Sequence, residues 1–244
     1  MSDQTQPGVW ETPQKILVIL AHPDDPEFFC GGTLARWARA GHTIIYTLLT
    51  CGDKGSNDPN LDPDELCRLR HVEQRNAADV IGAQEVHFLS EPDGYLVPDL
   101  RLRKEITRII RQIKPDVLVT CDPQTLFPPG SYRLNHPDHR AAGQVVLDAA
   151  FPAAGNPLFF PELLKDEGLE PHTPKEIWVS LTAAPNVAMD VTDLWDVKLQ
   201  AIKQHASQIG DAAQLEERLR ARHTEDSTRE HPRYEEKFHL INWR

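Results

Sequence analysis

Short apolar strands alternate with helices along most of this chain, and that order restricts its fold more than any other feature. Lys15-Ile-Leu-Val-Ile-Leu20 is β-branched and lacks polar alternation, the pattern of a strand buried on both faces of a parallel sheet. A polar loop follows, then Gly31 to Ala40, where Leu34, Trp37 and Ala38 share one helical face and Gly41 suits the helix end. Thr43 to Thr50 (TIIYTLLT) is the next apolar run and completes a βαβ unit. Further on, the spacing predicts helices over 63–81, 100–113, 140–151 and 193–209. It predicts strands over 86–89, 117–121, 177–181 and 187–191. This is the signature of an α/β fold with a mostly parallel sheet and helices on both faces.

No shift in composition marks a second domain. With 244 residues the chain is long enough for a substantial core, and the expected organisation is a flexible polar leader over 1–13 and a single domain over 14–244. Nine of the 20 prolines fall between Pro123 and Pro174, a long irregular connection of the kind often tied to function. Within it, Leu158 to Leu164 is too apolar to lie bare, and core is the favoured reading over a subunit contact. From Asp211 to Lys237 charges of both signs alternate, as on a solvated helix and tail.

The formal net charge of −11 argues against non-specific nucleic-acid binding and against adsorption to anionic membranes. The longest purely apolar run, Ile16 to Ala21, is far short of the ~20 residues that span a bilayer. Met1 to Pro13 lacks the order of a secretory signal. Cys30, Cys51, Cys67 and Cys121 show no paired spacing, so four reduced thiols in a cytoplasmic protein are expected.

Chemistry is concentrated in two loops. After the first strand comes Ala21-His22-Pro23-Asp24-Asp25-Pro26-Glu27, where a nucleotide-binding domain would carry G-x-G-x-x-G. Adjacent residues point to opposite sides of extended chain, so one aspartate can join His22 on a metal while the other faces substrate as a base. The bland alternative is a capping Asp and a turn Asp. The second loop, Asn135-His136-Pro137-Asp138-His139, also follows a strand and precedes a helix. Its two imidazoles fall on roughly one face, with Asp138 between them to orient one ring. Two His-Pro-Asp loops at the ends of parallel strands are a far stronger signal than either alone.

At these residues the sequence resembles the PIG-L/LmbE family of zinc-dependent de-N-acetylases. That family includes the N-acetylglucosaminyl-phosphatidylinositol, mycothiol-pathway, bacillithiol-pathway and chitobiose deacetylases. The similarity extends to Leu49-Thr-Cys-Gly-Asp53, Arg70-x-x-Glu73, Phe88 to Gly94, Asn186 to Asp190, Lys198 to Gln208 and Tyr234 to Phe238. It implies a Rossmann-like three-layer sandwich and one Zn2+ per chain, with other divalent metals able to replace it. His22, Asp25 and His139 would be the metal ligands and Asp24 the general base. His136 would stabilise the oxyanion or protonate the leaving amine, and Arg70 and Asp93 would hold the sugar. The small-molecule substrate would be an N-acetylglucosamine conjugate or short oligosaccharide, and a homo-oligomer is expected. Glu27 follows Pro26 where many members have Glu directly after the aspartate pair, which leaves its role open. Leu134 stands where the mycothiol branch carries a tyrosine, with Tyr132 the nearest.

The donor set agrees with this independently. Two histidines and one carboxylate leave a metal position open to water, as in hydrolytic rather than structural sites. Two rival readings are a metal-dependent phosphoesterase and a sugar-binding module without turnover.

Overall fold

The computed structural model describes residues 6–128 and 133–243. In chain order it comprises β1 (Lys15–Leu20), α1 (Asp25–Arg39), β2 (Thr43–Thr50), α2 (Pro63–Ile81), β3 (Glu85–Glu91), α3 (Leu100–Ile113) and β4 (Val117–Cys121). Then come α4 (Pro137–Asp148), a π-helical turn over Ala149–Ala154, α5 (Pro161–Lys165), β5 (Glu176–Ser180) and β6 (Val187–Asp190). After a 3-10 turn over Thr192–Leu194 the chain forms α6 (Trp195–Ile202), α7 (Ala206–Ile209), α8 (Ala212–Arg220) and β7 (Glu235–Asn242).

The sheet runs β3-β2-β1-β4-β5-β7-β6. Its first five strands are parallel, and β7 is antiparallel to both β5 and β6. The fold is therefore α/β with a mixed sheet, parallel where the sequence pattern indicated. Ile16 to Leu20 are fully buried, as an apolar strand covered on both faces should be. Strand order reverses between β1 and β4, which pair in register through Val18 and Val119. At such a switch point the crevice beyond the strands' C-terminal ends is the natural ligand position. Both His-Pro-Asp loops leave the sheet at that edge.

Several elements differ from the sequence expectation. Helix α1 begins at Asp25 rather than Gly31 and breaks at Cys30, whose φ of −147° is non-helical. The break takes the Gly32 and Thr33 amides out of the regular ladder. Glu236 accepts from both, at 2.9 and 2.7 Å, and Lys198 Nζ lies 2.5 Å from the same carboxylate. Glu236 sits on β7, a strand hidden in the sequence by its charges: Glu236 and Phe238 face inward while Glu235 and Lys237 do not.

Gly8 and Trp10, within the segment expected to be a leader, contact the tryptophans of the core. Trp10 packs 5.2 Å from Trp37 and 6.5 Å from Trp178, and Trp37 Nε1 donates to the Gly8 carbonyl at 3.0 Å. Residues 1–5 lie outside the described residues. Within the apolar stretch Leu158 to Leu164, Leu163 is fully buried whereas Leu158 is 83% exposed. Nor are all four thiols free. Cys51 and Cys67 are joined as a disulfide across a Cα–Cα distance of 5.2 Å, because α2 returns over the end of β2. Cys30 and Cys121 are free and buried.

Candidate active site

The first loop turns sharply as it leaves β1. Asp24 has φ 90°, the left-handed region that costs a side-chain-bearing residue about 1–3 kcal/mol. Neighbours fix it there: the Asp24 N–H donates to Gln74 Oε1 at 2.8 Å, and Arg70 Nη2 donates to the Pro23 carbonyl at 2.7 Å. The Asp24 side chain makes no capping hydrogen bond, so the bland reading of this residue fails. Its Oδ2 lies 3.3 Å from Arg70 Nη2 instead. Asp25 points the other way, and its Oδ2 accepts from the His22 amide at 2.9 Å.

The second loop leaves β4 and starts α4. Gly143 lets this helix press against the strand end, since a Cβ there would lie 2.1 Å from the Cys121 carbonyl oxygen. That seats His139 beside the first loop, with Nε2 3.0 Å from Asp25 Oδ1.

Hydrogen bonds define which ring nitrogen is free. His22 Nε2 faces Asp138 Oδ2 and Asp93 Oδ1, each at 3.2 Å, so these carboxylates hold the ring proton there. Its Nδ1 is turned toward Asp25 Oδ2 at 3.5 Å. His139 Nδ1 meets Asn135 Oδ1 at 2.8 Å, and the Asn135 amide is oriented by donating to the Thr125 carbonyl. Its Nε2 is left as the acceptor facing Asp25. His22, Asp25 and His139 can thus offer two imidazole lone pairs and a carboxylate to one cation. A second grouping, His22 with Asp93 and His136, would need the His22 nitrogen that Asp138 already occupies.

The electrostatics suit a cation. Burial opposes a charge on His22, yet the carboxylates of Asp138, Asp25 and Asp93 overcome it and raise the ring's pKa well above its ordinary value. Burial would raise Asp25, but the His139 and His22 rings outweigh it and hold that carboxyl well below the usual range. Burial pushes Asp24 up to about 6, with Arg70 opposing. Burial and the neighbouring His22 and His139 lower His136. His136 Nδ1 accepts from the Asp138 amide at 3.2 Å, so the neutral ring carries its proton on Nε2.

An open cavity of about 420 Å3 unites these groups, with His22, Asp24, Asp25, His136 and His139 on its wall beside Phe28 and Phe29. Arg70 and Asp93 also reach it, and Asp138 is buried beneath, accepting from the Gly94 and Leu96 amides. All eight residues expected from the sequence therefore meet at one place. Larger hollows of about 500 and 540 Å3 elsewhere are lined without histidine or cysteine.

Arg70 and Glu73, three residues apart on α2, do not pair with each other. Arg70 serves Asp24 and Gly52, while Glu73 accepts from the Ser207 amide and hydroxyl at 2.8 and 2.6 Å. Glu27 is fully buried, bonded by Gln74 Nε2 at 3.0 Å and facing His205 Nε2 at 3.1 Å. Two supporting residues, Asn135 and Gln74, were assigned no role from sequence. Asn135 is adjacent to the His-Pro-Asp motif, but nothing near Gln74 signals that it reaches Asp24. Tyr132 lies outside the described residues.

The chain matches the family model described as GlcNAc-PI de-N-acetylase over residues 17–150. It is 34% identical over 195 residues to the diacetylchitobiose deacetylase of Thermococcus kodakarensis, covering 80% of this chain and 70% of that one. The N,N'-diacetylchitobiose deacetylase of Pyrococcus horikoshii, solved with an inhibitor, superposes with a TM-score of 0.83 at 32% identity. That match covers 94% of this chain and 84% of the other. A 4-carboxy-2-hydroxymuconate hydratase from Pseudomonas putida has a TM-score of 0.70 at 19% identity over 95% of this chain and 97% of its own, which shows a shared fold alone. One fold thus carries different reactions, and the chemistry must be argued from the site.

Proposed function

The chain belongs to the PIG-L family of GlcNAc-PI de-N-acetylases, and from that premise we propose that it is a zinc-dependent hydrolase removing the N-acetyl group from an N-acetylglucosamine-type sugar or conjugate. The observation that carries this reading is the convergence of two loops from adjacent strands, which turns His22 Nδ1, Asp25 and His139 Nε2 toward one another. The donor set fits a hydrolytic zinc with an open position. When bound there, the cation supplies positive charge beside the amide carbonyl and a water acidified to a pKa of ~7.

The protein's own groups divide the remaining work. Asp24 accepts the proton of the attacking water, its carboxyl tuned near neutrality by burial and held in place by Arg70. His136, kept neutral with Nε2–H available, donates a hydrogen bond to the oxyanion as the carbonyl becomes tetrahedral. Protonated Asp24 then returns the proton to the departing amine, releasing acetate and the free amino sugar. Asp138 and Asp93 hold the His22 ring, and Asn135 holds His139, so both imidazoles keep their lone pairs aimed at the cation. Arg70 and Asp93 border the sugar at the cavity wall, in addition to their contacts with Asp24 and His22.

A cavity of this size holds one sugar unit and leaves the rest of a conjugate or short oligosaccharide outside its open mouth. Among the described residues no helix is long and apolar enough to cross a membrane. A cytoplasmic enzyme is the reading we adopt, acting on small molecules rather than nucleic acid or membranes. Exposed Leu158 and Phe159 supply apolar surface for a homo-oligomer. The test is release of free amine and acetate from a panel of N-acetylglucosamine conjugates and chitooligosaccharides, run beside phosphate esters. Amine from at least one sugar is expected. Phosphate release without amine would replace this reading with a phosphoesterase.

A further inference from the structure

The mechanism makes no use of the sulfur cluster beside α2. Cys51 follows the last residue of β2, and Cys67 and His71 lie one helical turn apart on α2. The two sulfurs are joined, and His71 Nε2 stands 3.8 Å from Cys67 Sγ. One donor atom from each of the three residues lies within 4.8 Å of the others. A disulfide needs no imidazole, yet this one is held in position: its ring stacks on Phe88 with centroids 3.8 Å apart at 27°. The cluster opens on a cavity of about 330 Å3, to which Asp53 and Asp64 also contribute. An ion can therefore reach it, and a carboxylate or water can complete four-coordination.

We propose that Cys51, Cys67 and His71 form a second metal site, filled by a soft divalent cation such as zinc when the cysteines are reduced and closed when they are joined. Two thiolates and an imidazole are a donor set that zinc prefers and that hard cations do not. Two thiolates also cancel the charge of a divalent ion, which suits a half-buried position. Opening the site requires a thiol or phosphine reductant. A dithiol passes two electrons and two protons to the disulfide, giving two cysteine thiols and its own cyclic disulfide. The cation then displaces both thiol protons, which leave to solvent, as two metal–sulfur bonds and one metal–nitrogen bond form. None of these three residues belongs to the His22, Asp25 and His139 group, so the two sites are separable by experiment.

The test uses the full chain with zinc in the first site, reduced by a water-soluble phosphine and titrated with Co2+. The first site contains no sulfur, so thiolate-to-cobalt charge-transfer absorption reports the second alone. One further equivalent should bind with that band, and alkylation of both thiols should slow by roughly tenfold or more. Cys67→Ser should abolish the band. His71→Ala keeps both sulfurs and should weaken cobalt binding at least about tenfold, since even loss of a ligand's supporting partner does as much. Zinc at the first site should be unchanged in both variants, and the oxidised protein should take no second equivalent. A reduced wild type without the band, thiols alkylated equally fast with and without metal, or His71→Ala titrating like wild type would each overturn the proposal. So would a disulfide that cannot be reduced without unfolding the chain.

Discussion

Arg70 Nη2 lies 3.3 Å from Asp24 Oδ2 and 2.7 Å from the carbonyl of Pro23, so one buried guanidinium fixes both the backbone and the carboxylate of the proposed base. Its Nη1 also donates to the Gly52 carbonyl at 2.8 Å. Gly52 has φ 69°, and a Cβ there would lie 1.9 Å from Arg70 Nη1. Only glycine leaves room for this clamp.

The clamp has a pH signature. Arg70 opposes the burial that pushes Asp24 up to about 6. Arg70→Gln removes that opposing charge, so the Asp24 carboxyl rises further and the base is protonated over a wider acid range. The acid limb of kcat/KM should move to higher pH while the alkaline limb stays in place. A pH–rate profile with the acid limb unmoved, or moved down, would separate Arg70 from Asp24 function.

Asp24→Asn keeps the side-chain shape and removes the proton acceptor. Turnover should fall by roughly 10²–10⁴-fold, the range contributed by general acid–base groups. Metal content by elemental analysis should match wild type, because Asp25 rather than Asp24 faces the two histidines. Near-normal activity would reassign the base.

Asn135→Leu leaves His139 in place but takes away the acceptor at its Nδ1. Metal affinity should weaken by about 10–100-fold, as for other partners that orient a ligand. A chelator-competition titration measures it, and unchanged affinity would show that the ring is held by packing against Phe29 alone.

Lys198→Met addresses the support behind α1. It leaves Glu236 buried without its cation, bonded only by the Gly32 and Thr33 amides. Breaking a buried pair from one side costs about 3–5 kcal/mol. Urea unfolding should show a loss of that size, and a loss near zero would mean that the two amides suffice.

Local signals were the readable ones. Helix α2 was bounded correctly because Asp62 caps it, Pro63 starts it and Gly82 at φ 93° ends it, all within a few residues of sequence. The central strand β1 announced itself by its unbroken apolar run from Ile16 to Leu20. Strand β7 did not, because its inward Glu236 breaks the hydrophobic alternation and its justification lies some 200 residues away, at the broken turn of α1. That His22, Asp24, Asp25, His136 and His139 gather at one cavity was legible from the paired motifs. Gln74 was not, because its amide bonds Asp24 and Glu27 across separations of 50 and 47 residues, and no spacing rule points there. The Cys51–Cys67 bridge was missed for the same reason: a separation of 16 residues carries no pattern until α2 folds back over β2.

The central claim is that His22, Asp25 and His139 hold the metal on which amide hydrolysis depends. It is tested most directly by stripping the protein with a chelator and restoring Zn2+ stepwise while amine release from an N-acetylglucosamine oligosaccharide or conjugate is followed. Activity should vanish in the stripped protein and return in proportion to zinc up to one equivalent, and His139→Ala should fail to recover it. Full turnover in metal-free protein, or recovery in His139→Ala equal to wild type, would contradict the account.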